Sequence, residues 1–79
     1  MDKQAFLGSI VRRERKARAL TQQQLGELSG AGLNFISQLE RGKETVRFDK
    51  LLEVLAILGL ELHVRRGKKV ISAAEELNR

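Results

Sequence analysis

The sequence predicts an all-α domain, a bundle of four to five helices followed by one short C-terminal strand. Three observations predict it. Apolar residues return at helical spacing over most of the chain. Proline is absent, and glycines at 30, 32 and 42 stand where the helical pattern breaks. Residues 60–65 alone switch to the period-two alternation of a half-buried strand.

Leu7, Ile10, Val11 and Ala17 form the apolar stripe of a first helix over residues 3–18, with Arg12, Arg13, Lys16 and Arg18 on its remaining surface. The Thr21 hydroxyl is placed to cap a second, short helix carrying Gln22, Gln23, Gln24, Leu25 and Leu28. Residues 29–32 interrupt it, and Gly30 supplies the positive φ of a sharp turn. A third helix turns Ile36 and Leu39 inward and ends at Gly42, and residues 43–47 are loop. Asp49 is the expected cap of a fourth helix reaching about residue 58, with Leu51, Leu52, Val54, Leu55, Ile57 and Leu58 around more than half its circumference. One core needs fewer, so a second subunit is expected against its other side. Leu60, Leu62 and Val64 alternate with Glu61, His63 and Arg65. That strand either folds back through Gly67 onto Val70 and Ile71 or pairs with its own copy across a twofold axis. Ser72 to Glu75 have the pattern of a capping box opening a last helical turn.

Size and composition narrow the function classes. Seventy-nine residues make one domain with a modest core, so a partner subunit is the expected source of extra stability. No cysteine and a single histidine exclude disulfides and thiolate metal sites, and no metal or other cofactor is expected. A net charge of +5 favours polyanionic partners, although a basic surface often meets only water. No long apolar run or leader pattern stands in the chain, which predicts a cytosolic protein without membrane contact. His63 has no cysteine or second histidine near it, and Glu75 and Glu76 point to different helix faces. No enzyme is expected. Arg65, Arg66, Lys68 and Lys69 make a basic cluster open to phosphates, an acidic partner or solvent.

Residues 20–43 carry the chemistry. Two short helices around a glycine turn present the outer face of the second, where Leu33, Asn34, Ser37 and Gln38 stand at one-turn spacing opposite Ile36 and Leu39. Asn and Gln bond adenine bidentately, Ser bonds either base type, and Leu can meet a thymine methyl. The plain alternative is a solvated helix with polar residues outside. Gln22 lies at a helix N-terminus, where partial positive charge suits phosphate.

Residues 8–65 resemble the XRE/Cro-like helix-turn-helix proteins and, within them, the HipB-like antitoxins. Arg15, Leu20-Thr21-Gln22, Leu25, Gly30, Ile36, Leu39-Glu40-Arg41-Gly42-Lys43 and Leu58-Gly59-Leu60 carry the likeness. It implies a lambda-repressor-like helix-turn-helix bundle. Residues 1–59 would be the DNA-binding domain, 60–66 a strand pairing across a homodimer through Leu60, Leu62 and Val64, and 67–79 a tail. By the same resemblance Leu33, Asn34, Ser37 and Gln38 read bases, Ser37 least clearly, while Gln22, Arg41 and Lys43 meet phosphates. Gln22 also steadies the reading helix, and Arg15 and Glu40 form a structural salt bridge. The implied function is a dimeric transcriptional repressor on a palindromic double-stranded operator, serving as antitoxin to a HipA-like serine/threonine kinase. A free-standing phage or restriction-modification regulator is the alternative, and an adaptor without DNA binding would not need Gln22, Asn34 and Gln38. Two positions depart from the family. Ala19 stands where glycine is preferred, which predicts a slightly different turn, and Ala31-Gly32-Leu33 replaces a polar start to the reading helix, which predicts an altered operator. Phe35 is expected to pack against protein and not to stack on a base.

Overall fold

The structure, a computed structural model, describes residues 3–64, 66 and 71–72, with the backbone alone at 3–5 and 71–72. Four helices run in chain order: α1 (Lys3–Ala17), α2 (Gln22–Ser29), α3 (Leu33–Glu40) and α4 (Phe48–Ile57). Two short strands follow, β1 (His63–Val64) and β2 (Ile71–Ser72). No fifth helix occurs among the described residues.

One core joins all four helices. Val11, Leu25, Ile36, Leu39, Val54 and Leu58 are sealed from solvent at its centre, and Leu20, Phe35, Val46, Leu60 and Leu62 pack around it. The expected stripe of α1 is corrected at one end. Ala17 is exposed, and Gly8 and Arg15 complete the buried face. On α4, Leu51, Val54, Leu55 and Leu58 face the core, whereas Phe48, Leu52 and Ile57 stay exposed in the single chain. Asp49 is not the cap of α4. Arg47 takes that position without a side-chain cap bond, and Asp49 lies in the first turn with its carboxylate 2.6 Å from the Arg47 guanidinium.

Three helices end in the same way. After α1, Ala19 N–H bonds Lys16 C=O and Leu20 N–H bonds Arg15 C=O. After α3 the pairs are Gly42 to Leu39 and Lys43 to Gln38, and after α4 they are Gly59 to Ala56 and Leu60 to Leu55. This is the Schellman pattern, in which a left-handed residue folds the next one back over the last turn. Ala19, Gly42 and Gly59 are the left-handed residues, at φ 56°, 86° and 71°. The turn expected to differ at Ala19 is therefore the glycine-type turn, kept with an alanine in it.

That alanine is strained. Left-handed backbone costs an L residue roughly 1–2 kcal/mol, offset in part by the greater freedom that glycine loses on folding. Ala19→Gly is expected to raise stability by about 0.5–1 kcal/mol and Tm by a few degrees, measured by thermal melting. An unchanged or lower Tm would show that the turn carries no strain.

The alternating segment is also corrected. Leu60 belongs to the turn that closes α4, Leu60 and Leu62 pack on the chain's own core, and only His63 and Val64 are strand. Strand β1 pairs antiparallel with β2 within the chain, His63 opposite Ser72 and Val64 opposite Ile71. This is the fold-back alternative, and Ser72 is in a strand instead of capping a helix. Gly67, Val70 and residues 73–79 lie outside the described residues, so the expected last helical turn does too.

Candidate nucleic-acid interface

Helix α3 is held at both ends by glycines on other helices. At its start, a Cβ on Gly26 of α2 would lie 2.6 Å from the Gly32 carbonyl carbon and 2.8 Å from the Leu33 nitrogen. At its end, a Cβ on Gly8 of α1 would collide with the Leu39 carbonyl oxygen. Backbone thus meets backbone at two places where no side chain stands between the helices. Gly30 makes the turn before it, at φ 75°.

A buried polar cluster ties down the far end. The Arg15 guanidinium donates from Nε to Glu40 Oε2 at 2.7 Å and from Nη2 to Oε1 at 3.0 Å, and from Nη1 to the Leu20 carbonyl at 2.7 Å. Gln22 Nε2 donates to the same Glu40 Oε1 at 3.1 Å. The two charged side chains are only 10 % and 4 % exposed. Bidentate geometry and a partner for each guanidinium nitrogen make this burial tolerable, and the hydrogen bond to Glu40 raises the Arg15 pKa above its ordinary value. Arg15 and Glu40 are thereby joined, and Gln22, at the start of α2, shares the same carboxylate.

The N-terminus of α2 is well formed. Thr21 accepts from Gln24 N–H at 3.0 Å, and the Gln24 side chain accepts from Thr21 N–H at 2.8 Å, a reciprocal capping box. The first main-chain bond of the helix runs from Leu25 to Thr21, so Gln22 and Gln23 present N–H groups at the positive end of the helix dipole. Helix α3 begins at Gly32 with no side-chain cap, in line with its apolar start.

The outward face of α3 carries Leu33 and Asn34, both exposed, with Ser37 and Gln38 partly so, while Ile36 and Leu39 are buried beneath. Arg41 and Lys43, both exposed, follow at its C-terminus. Beside this face an open groove of about 880 Å³ runs between α3 and the loop to α4, with Asn34, Gln38, Lys43, Arg47 and Lys50 along it. Phe35 packs against the core with Lys50 Nζ 5.9 Å above its ring, so the ring is not offered to a base. Lys50 was invisible to periodicity, because only the fold brings the first turn of α4 near Phe35 of α3. Gly8 and Gly26 were missed as well, although an isolated glycine inside a helical pattern is the signal for such a contact.

The remaining expected site residues fall elsewhere. Val64 is 97 % exposed and does not share a face with Leu60 and Leu62, which are half-buried. His63 lies 3.0 Å from Glu61, and no cluster able to hold a metal occurs among the described residues. No described helix is long and apolar enough to cross a membrane. Arg66 is exposed, and Arg65, Lys68 and Lys69 lie outside the described residues.

An outward polar helix follows a capped helix across a glycine turn, and residues 1–66 match the helix-turn-helix domain. The chain belongs to the helix-turn-helix family. Among relatives, this helix-turn-helix chain is 42 % identical over 60 residues to the uncharacterized HTH-type transcriptional regulator y4mF of Sinorhizobium fredii, covering 76 % of this chain and 79 % of that protein. Among solved structures it is similar to the restriction-modification controller protein C.AhdI of Aeromonas hydrophila, with TM-score 0.68 and 29 % identity over 75 % of this chain and 86 % of the other.

Proposed function

We propose that this helix-turn-helix protein is a non-enzymatic transcriptional regulator that represses by binding a palindromic operator as a homodimer. The observation that carries the proposal is the outward face of α3, with Leu33, Asn34, Ser37 and Gln38 opposite the buried Ile36 and Leu39, and Arg41 and Lys43 just beyond. In this reading α3 lies in the major groove, and the N–H groups at the start of α2, Arg41 and Lys43 neutralise phosphates. Gln22 reaches a phosphate from the same helix start. The exposed Phe48 and Leu52, one turn apart on α4, are the apolar surface on which a second copy would close. That mate sets the two reading helices about 34 Å apart.

Two regulators of this kind are weighed. The antitoxin of a HipA-like kinase rests on sequence resemblance alone. A free-standing controller of the restriction-modification kind is favoured by the structural likeness to C.AhdI. Co-purification with the product of a neighbouring kinase-like gene would decide for the antitoxin.

Binding measurements test the common reading. Asn34→Ala should relax preference at one operator position by roughly 1–3 kcal/mol. Arg41→Ala should weaken specific and random duplexes alike and lower the salt slope by about one. Equal losses on both duplexes for both variants would overturn the reading.

A further inference from the structure

The turns that end α1, α3 and α4 all fold one residue back over the last helical turn. At α1 and α4 that residue is leucine, Leu20 and Leu60, and both pack on the core. At α3 it is Lys43, and the residue it is folded onto is Gln38. The apolar contact usual at this place is replaced by a polar one. Lys43 Nζ donates to Gln38 Oε1 at 3.1 Å.

This contact determines which way the Gln38 amide points. An ammonium has donors and no acceptor, so it can face only the amide oxygen. The Gln38 Nε2 is then turned away from Lys43. Bidentate reading of adenine requires oxygen and nitrogen of the amide together on the base edge, one accepting from N6 and the other donating to N7. With Lys43 on one of the two Oε1 lone pairs and its ammonium standing on that side, the donors of the pair outnumber its one remaining acceptor site. The base edge that matches is guanine, whose major-groove edge carries the two acceptors O6 and N7.

We propose that Lys43 is a positioning residue that sets base preference through Gln38, so that the pair selects guanine where a free glutamine would select adenine. The inference rests on the reading of α3 as the base-reading helix. It separates Lys43 from Arg41, the other cation at this end of α3, which has no such partner among the described residues. Lys43 contributes charge toward phosphate as well, but its second effect is confined to one base pair.

Selection from a pool of randomised duplexes tests this, using the full chain, Gln38→Ala, Lys43→Met and Lys43→Arg. Lys43 is exposed, and thermal melting of each variant confirms folding. In the unaltered chain, the position whose preference Gln38→Ala abolishes should be guanine, favoured over adenine by about tenfold. Lys43→Met should move that position toward adenine, and Lys43→Arg, which still donates to Oε1, should keep guanine. An unchanged motif with Lys43→Met, under a uniform loss of affinity, would assign Lys43 to phosphate alone and overturn the inference. Adenine at that position in the unaltered chain would overturn it too, while leaving the base-reading role of α3 intact. No enriched motif at all would overturn sequence-specific binding itself, and the inference with it.

Discussion

Glu40→Ala is expected to destabilise the chain by about 3–5 kcal/mol, the loss typical when one partner of a buried ion pair is removed. The substitution leaves the Arg15 guanidinium 10 % exposed with Nε and Nη2 unpaired, and it takes the acceptor from Gln22. Only the Leu20 carbonyl remains for Arg15. A domain of this length holds roughly 4–12 kcal/mol in total at 0.05–0.15 kcal/mol per residue, so the variant would be close to unfolded at physiological temperature. Urea titration reads the loss directly, and Tm should fall by more than about 10 °C. A loss within about 1 kcal/mol would mean that water reaches the guanidinium and that the pair acts as a surface bridge.

Raising the pH is no practical probe of the Arg15 side of this pair. The raised Arg15 pKa means that the guanidinium's contribution is fully present below the unfolded value and disappears only as pH rises through the folded one, beyond any working range. The double variant Arg15→Met/Glu40→Leu is the better control. Replacing both partners by apolar groups of similar size is often close to neutral, so recovery in the double variant would locate the cost in the stranded charge. The pair's use is then positional. Glu40 is the last residue of α3, and its carboxylate binds the reading helix to α1 and to the start of α2.

How far the sequence disclosed this arrangement depends on whether a signal is local. Thr21 capping α2, Gly30 turning the chain and Gly42 closing α3 are decisions of backbone conformation within a few residues, and each is where the residue types place it. Ala19 is subtler. Its chemistry argues against a left-handed turn, and the bonds of Leu20 and Ala19 back to α1 impose one regardless. Asp49 has the right type for a cap but enters one residue inside the helix, where Arg47 engages it. The alternation of Leu60, Leu62 and Val64 was misread because the turn after α4 folds Leu60 back onto the core before any strand begins. On the candidate interface, the outward set of α3 follows from periodicity alone. The Lys43 contact to Gln38 does not, since it depends on the hydrogen bonds of a turn, and the groove beside α3 depends on where α4 packs. Gly8 and Gly26 are the least legible, because a glycine leaves a gap in any apolar pattern and its meaning lies in what comes close to it.

Gly26→Ala is the second large expected effect. Alanine should gain about 1 kcal/mol of helix propensity inside α2. Against this, its Cβ would lie 2.6 Å from the Gly32 carbonyl carbon, 2.8 Å from the Leu33 nitrogen and 2.9 Å from the Gly32 oxygen. All three are backbone atoms, so no side chain can rotate away, and ordinary contact at 3.4 Å requires the start of α3 to retreat by about 0.8 Å. Overpacking of this kind costs about 1–3 kcal/mol and sometimes more, which outweighs the propensity gain. The larger consequence is for recognition. Leu33 and Asn34 sit on the segment that must move, so base contacts should be lost while phosphate attraction persists, and the ratio of specific to random-duplex affinity should fall toward one. Gly30→Ala provides the contrast, because a Cβ there meets nothing within 4 Å and the only penalty is the left-handed backbone at φ 75°. It should lower stability by about 0.5–1 kcal/mol, the left-handed cost less the freedom that glycine loses on folding, and leave the affinity ratio of the folded fraction nearly unchanged. If Gly26→Ala were as stable as the parent and equally selective, α3 would have to owe its angle to the Arg15–Glu40 cluster and the apolar core, with the glycine contact incidental.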